Sequence, residues 1–91
     1  MEIFYVYALR SLKDLRIYVG MTQNIEIRLS EHNKGKTKST KAYKPWELIF
    51  VKEVRGRSEA QTLEKHYKSG TGKEYLKSLD LSKGPVVQRI E

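Results

Sequence analysis

The stretch EIFYVYALRSLKDLRIYVG, residues 2–20, decides how this chain folds. Its first part, Glu2 to Leu9, is dense in aromatic and β-branched residues and predicts a strand. Alternation places Ile3, Tyr5, Tyr7 and Leu9 on one face and Phe4, Val6 and Ala8 on the other. Both faces are apolar or aromatic, so the strand belongs in the middle of a sheet covered on both sides. Ser11 to Leu15, with Lys13-Asp14 inside it, reads as a turn, and Arg16 to Gly20 as the returning strand. A chain that opens with a hairpin implies an antiparallel sheet packed by helices.

Working outward, Asn24 is a good N-cap for a helix running to about Asn33, with Gly35 as the stop. The loop 35–45 has no apolar period. Trp46 to Val54 (WELIFVKEV) predicts the third strand. Ser58 is expected to open a second helix, with Gln61 completing a capping box, and the helix should end near Ser69-Gly70. Gly70 to Gly72 reads as a breaker, Lys73 to Leu79 as a short third helix and Gly84-Pro85 as a turn. The tail Val86 to Glu91 is either an edge strand or without structure. The order is β-β-α-β-α with a C-terminal helical extension, an α/β (α+β) fold. A length of 91 residues predicts one domain, 1–91, with a core over about 3–69 and an extension over 70–91.

Composition narrows the function. There is no cysteine, which excludes disulfides and cysteine-based metal sites. The start lacks a signal-peptide pattern and no segment approaches about 18 apolar residues, so a soluble, cytoplasmic protein without a membrane partner is expected. Eighteen Lys and Arg against eleven Asp and Glu leave a formal charge of +7, a field that attracts polyanions. Such a surplus is often a solvated surface and nothing more. Here it is concentrated: no acid lies between Glu31 and Glu47, while Lys34, Lys36, Lys38, Lys41 and Lys44 fall in that gap. A loop of one sign suits phosphates, most directly those of a nucleic acid.

Three features do not read as plain core. Ala60, Leu63, Glu64 and Tyr67 form one helical stripe, and Glu64 is the odd member. Its carboxylate meets a cation or lies at the open edge of the core; alternatively it is a metal ligand or a catalytic acid. On the first helix Ile25, Leu29 and His32 form an inward stripe with Arg28 at its margin, four residues before His32. That histidine is either a satisfied core residue or, with the arginine, part of a phosphate site, since arginine clamps phosphates and neutral imidazole accepts protons. Tyr7 and Tyr18 pack the sheet or present hydroxyls to the same opening. Gly20 serves a tight turn or the close approach of a ligand.

Tyr5-Val6-Tyr7, ten residues, then Tyr18-Val19-Gly20 resembles the paired signature of the GIY-YIG nuclease superfamily. The resemblance continues through Thr22, Asn24, Arg28, Leu29, His32-Asn33 and Gly35, and again at Ser58-Glu59-Ala60 and Glu64. In size the chain is similar to the small stand-alone members and to the nuclease module of structure-specific endonucleases. The resemblance implies a three-stranded antiparallel sheet flanked by helices, and an endonuclease, of the kind used in DNA repair or recombination, that hydrolyses DNA phosphodiesters with Mg²⁺ or Mn²⁺. Glu64 would be the sole protein ligand of the metal and Arg28 would stabilise charge on the phosphate. Tyr7, Tyr18 and His32 would surround the attacking water. The second signature is followed by Met21, where some branches carry a lysine, and no asparagine follows Asn33. Larger members add a domain that finds the DNA; none is expected here, which implies low affinity and specificity and leaves room for a protein partner that supplies targeting. The alternative is a non-catalytic nucleic-acid-binding module with the same fold.

Overall fold

The computed structural model describes residues 2–90. Met1 and Glu91, the ends of the expected domain and tail, lie outside that span. The hairpin forms as its alternation requires: β1 (Ile3–Ser11) pairs antiparallel with β2 (Ile17–Thr22), Tyr7 opposite Gly20 and Leu9 opposite Tyr18. The strand β3 (Trp46–Arg55) pairs antiparallel with the other edge of β1, so β1 is central. A bulge lies where Ala8 faces Phe50 but Leu9 faces Leu48, which leaves Ile49 as the extra residue. It turns Ile49 and Phe50 into the same buried cluster.

Both faces of β1 are covered. Phe4, Val6 and Ala8 pack with Val19, Ile49, Phe50 and Val54 under α2 (Arg57–Lys68) and α3 (Gly70–Lys77). Tyr7 and Leu9 pack on the other face with Trp46 and Val51, joined by Ile25 and Leu29 of α1 (Ile25–Asn33). The side chain of Asn24 caps α1 by accepting from the Ile27 amide at 3.0 Å. Gly35, at φ +77, closes its other end: the Gly35 amide bonds the His32 carbonyl and the Lys36 amide bonds that of Glu31, a Schellman arrangement.

The α+β class and the helices flanking the sheet are as expected, but the sheet differs. It has four strands in the order β2-β1-β3-β4 and is mixed, because β4 (Val86–Gln88) pairs parallel with Phe50–Lys52 of β3. Of the two readings of the tail, the edge strand is the one that forms; the expectation of three antiparallel strands left it out because three residues show no period. Pairing is decided by the free edge of β3 and by the α2–α3 crossover, which supplies the length that a parallel connection needs. The second strand does not stop at Gly20 but runs on to Thr22. Helix α2 starts at Arg57 after Gly56, whose φ is +87, and has no side-chain cap, so Ser58 sits inside its first turn. Gly70 to Gly72 are the first turn of α3; the break is at Ser69 alone, which ends α2 and caps α3 through the Gly72 amide at 3.2 Å. Among the described residues no helix is long and apolar enough to cross a membrane.

The two glycines of α3 have opposite meanings. A Cβ on Gly72 would collide with the His66 carbonyl and come within 2.5 Å of the Tyr67 Cα, so glycine lets α3 fold back on α2. A Cβ on Gly70 would meet nothing within 4 Å. Gly72→Ala is therefore expected to lower the melting temperature by roughly 10 °C, while Gly70→Ala holds or raises it by a few degrees. Thermal unfolding followed by circular dichroism checks both, and equal effects would mean that the corner is not packed as described.

Candidate active site

The hairpin and α1 bring three aromatic rings together. Tyr7 projects from β1, Tyr18 from β2 and His32 from the last turn of α1. The His32 ring lies 5.0 Å from that of Tyr18, edge on, and 5.9 Å from that of Tyr7. His32 has no exposed surface, and both of its nitrogens are bonded. Nε2 is 2.9 Å from the Tyr7 hydroxyl and Nδ1 is 2.8 Å from Thr40 Oγ1. The Thr40 hydroxyl donates to the Thr37 carbonyl at 3.4 Å, so its oxygen accepts from His32 Nδ1–H. That network assigns the tautomer: the lone pair is on Nε2, and the Tyr7 hydroxyl donates to it.

Gly20 belongs to this cluster for a steric reason. A Cβ there would stand 2.6 Å from the Tyr7 hydroxyl oxygen and 2.8 Å from the ring carbon that bears it. Gly20 thus makes room for the phenol crossing from the paired strand, and it lies within β2, not in a tight turn.

Arg28, one turn before His32, is half-buried and bonds Glu31 at 3.1 Å. Burial works against its charge, yet the nearby Tyr7 hydroxyl and the hydrogen bond to Glu31 raise its pKa above the ordinary arginine value. Desolvation pushes the Tyr7 hydroxyl up to about 12, although Arg28 pulls it the other way. Desolvation, and after it the Arg28 charge, brings His32 down to about 4. At neutral pH the centre therefore holds a neutral phenol, a neutral imidazole with its lone pair on the phenol, and a guanidinium beside them.

Glu64 sits on α2 in the stripe of buried Ala60 and Tyr67, with a side chain 22% exposed. It pairs with Lys68 at 3.4 Å, and its charge is felt at the Tyr7 hydroxyl. It therefore meets a cation at the open edge of the core. Among the described residues no three His, Cys, Asp or Glu side chains converge as a metal site. The donor set is one accessible carboxylate. That fits a hard cation such as Mg²⁺, which keeps several waters and takes one or two carboxylates besides phosphate oxygens; it does not fit a closed protein cage.

The lysine loop is more ordered than its composition predicts. Lys34, Lys36, Lys38, Lys41 and Lys44 are all exposed, and among the described residues none pairs with a carboxylate. The backbone beneath them is held inward by Thr40, which is fully buried and whose carbonyl accepts from the Trp46 indole at 3.0 Å. Asn33 brackets the loop's end, accepting from the Trp46 amide at 2.6 Å and donating to its carbonyl at 3.1 Å. Reading the sequence did not assign these roles to Thr40, Asn33 and Trp46. The one available signal was Trp46, because a buried indole N–H needs an acceptor.

The family model of the GIY-YIG catalytic domain matches residues 3–77. The chain belongs to the GIY-YIG family. The two halves of the GIY-YIG signature, ending at Tyr7 and Gly20, are thus the two residues that face each other across the hairpin. Among curated relatives, a UPF0213 protein of Oceanobacillus iheyensis is 39% identical over 80 residues, 87% of this chain and 92% of the relative. One from Staphylococcus haemolyticus is 35% identical over 77 residues, covering 84% and 93%. The UPF0213 protein YazA of Bacillus subtilis is 39% identical over 62 residues, 67% and 63% of the two chains. These relatives form a small stand-alone GIY-YIG group. Membership implies a nuclease-like function with nucleic acid as its substrate class.

The buried His32 gives stability a pH dependence. Its pKa falls from about 6.5 in the unfolded chain to about 4 in the fold. The unfolded state therefore binds the extra proton between those values. Stability from the neutral ring is complete above pH 6.5 and is lost as pH falls towards 4, at up to about 1.4 kcal/mol per pH unit. Urea unfolding at pH 7, 6 and 5 should show this slope in the wild type and a flatter one in His32→Gln. Equal slopes would mean that His32 is not held neutral.

Proposed function

We propose that this protein is a divalent-metal-dependent endonuclease that hydrolyses phosphodiester bonds in DNA, working as one catalytic domain over 1–91. The observation that carries the reading is the chain of hydrogen bonds from Tyr7 through His32 to Thr40, set beside the Arg28 guanidinium. Arg28 binds a non-bridging phosphate oxygen and offsets charge as it develops there. His32 has no surface, so it takes a proton from water only through a neighbour. The Tyr7 hydroxyl is that neighbour. As the water oxygen attacks phosphorus, its proton passes to Tyr7 Oη while the Tyr7 proton passes to His32 Nε2. The bond from phosphorus to the leaving oxygen breaks, and Thr40 Oγ1 stabilises the imidazolium through Nδ1–H.

A resting histidine with a pKa of about 4 is a weak base, and the site has a way to correct this. The Arg28 charge is the second cause of that low value. A phosphate on Arg28 offsets it and makes His32 more basic when substrate is bound. Tyr18, edge on to the ring, keeps water off His32. Glu64 would hold Mg²⁺ or Mn²⁺, which when bound neutralises phosphate charge and polarises the reacting oxygens. Lys68, with a side chain 53% exposed, leaves its pair with Glu64 at little cost. The five loop lysines attract the DNA backbone without reading its shape, so a protein partner supplies targeting, in the cytoplasm and in repair or recombination.

A second reading has an observation in its favour. A histidine bonded at both nitrogens and fully buried is also how a structural histidine is held, and a nucleic-acid-binding module with this fold would look the same. Cleavage of labelled single-stranded, duplex, flap and branched DNA, with Mg²⁺, Mn²⁺ or EDTA, separates the two. Wild type is expected to cut with metal only. Glu64→Ala and Arg28→Ala should not cut, and Tyr7→Phe should lose about 10²- to 10⁴-fold. Gly20→Ala should approach Tyr7→Phe because it displaces the phenol. Salt-dependent binding with no cutting by any protein, indifferent to Glu64→Ala, would leave the binding module.

The loop is tested separately. Replacing Lys36, Lys38 and Lys41 together with Ala should weaken DNA binding and reduce the slope of log K against log salt by about 2–3. An unchanged slope would show that the loop does not touch phosphates.

A further inference from the structure

The β1–β2 turn carries two leucines that belong to neither buried cluster of the fold. Leu12 is 54% and Leu15 63% exposed, and Leu15 holds φ +65, the one non-glycine residue at positive φ among those described. Left-handed backbone favours glycine or asparagine, and open water favours a polar side chain. A leucine satisfies neither.

The tip is also stiff. Ser11, fully buried, accepts from the Lys13 amide at 3.0 Å and the Asp14 amide at 3.3 Å, and donates to the Tyr43 carbonyl at 2.6 Å. The Leu12 amide bonds the Pro45 carbonyl at 2.9 Å. These bonds fasten the tip to the end of the lysine loop, the same loop whose Thr40 holds His32. Cations frame the leucines. The Arg16 guanidinium lies 3.4 Å over the Tyr43 ring and pairs with Asp14 at 2.7 Å, which cancels the tip's acid. Lys13 rests on the Ala42 carbonyl at 3.3 Å, and Lys41 and Lys44 stand exposed alongside.

We infer that this tip is a wedge whose leucines stack on the last base pair where a duplex opens into single strands, while Lys13, Arg16, Lys41 and Lys44 hold the flanking phosphates. The inference rests on the nucleic-acid reading of the site. The occupant must be both anionic and able to offer a flat apolar face, and an opened base pair is both. Apolar side chains used in this way unstack bases in other DNA-bound proteins. Spacing fits as well. Leu12 follows the last residue of β1, five residues beyond Tyr7, a reach of about 17 Å for extended chain, or about five nucleotides at 3.4 Å each. A duplex end against the tip thus leaves a phosphate at Tyr7 about five nucleotides away.

The test is binding without metal, in EDTA, so that it does not depend on catalysis. Labelled dumbbell duplex, closed at both ends, is compared with the same duplex ending in a single-stranded fork, by anisotropy. Wild type should bind the fork roughly tenfold more tightly, and 2-aminopurine at the junction should brighten. Leu12→Ser/Leu15→Asn should bind both as wild type binds the dumbbell, with the same salt slope. Because asparagine accepts the Leu15 backbone, its melting temperature should not fall. No fork preference in wild type, a preference retained by the variant, or leucine-dependent capture on anionic vesicles in its place would each overturn the wedge. A protein that prefers forks yet cuts nothing keeps the wedge and loses the nuclease; one that cuts dumbbell and fork alike does the reverse.

Discussion

The hydrogen bond from the Tyr7 hydroxyl to His32 Nε2, 2.9 Å long and between two buried side chains, is the constraint on which the rest of this structure turns. A buried imidazole and a buried phenol are each costly alone, and each satisfies the other only if strand and helix meet at one separation. Gly20 sets that separation on the sheet side, since any larger residue would displace the phenol. On the helix side, the Asn24 cap and the Gly35 terminator fix where α1 begins and ends, and hence where His32 points. Thr40 completes the chain from the loop, so a segment rich in lysine is pinned by its one buried hydroxyl.

The same bonds keep opposing demands apart. The phenol and imidazole are packed away from solvent, yet they lie beside the Arg28 guanidinium and the exposed lysines of the loop. The fold meets both by turning the loop backbone inward, through Thr40 and the Asn33 bracket on Trp46, while its lysine side chains stay in solvent. Arg28 stands at the boundary between the two regions. It is buried enough to act on Tyr7 and His32, and open enough to reach solvent.

Much of this was legible along the chain. Alternation in Ile3–Leu9 showed a strand covered on both faces, because a period of two needs no tertiary information. Asn24 and Gly35 marked the ends of α1, because caps act within a few residues. Tyr7, Tyr18, Arg28, His32 and Glu64 stood out as polar or aromatic groups at inward positions. Local signals misled where a tertiary contact outweighed them. Ser58 looked like a cap, yet Gly56 turns the chain one residue before α2 begins. Gly70–Gly72 looked like a breaker, yet Gly72 is needed for close contact between α2 and α3.

By itself the sequence determined the α+β class, the central hairpin, the placing of α1 and the basic loop, all consequences of periodicity, capping and charge over short distances. Only the tertiary structure decided that Gly20 exists to admit Tyr7, that Thr40 orients His32, and that three residues near the end join β3 as a parallel fourth strand. Each of these joins residues separated along the chain. Such pairings follow from which surfaces pack together, and no local pattern encodes that choice.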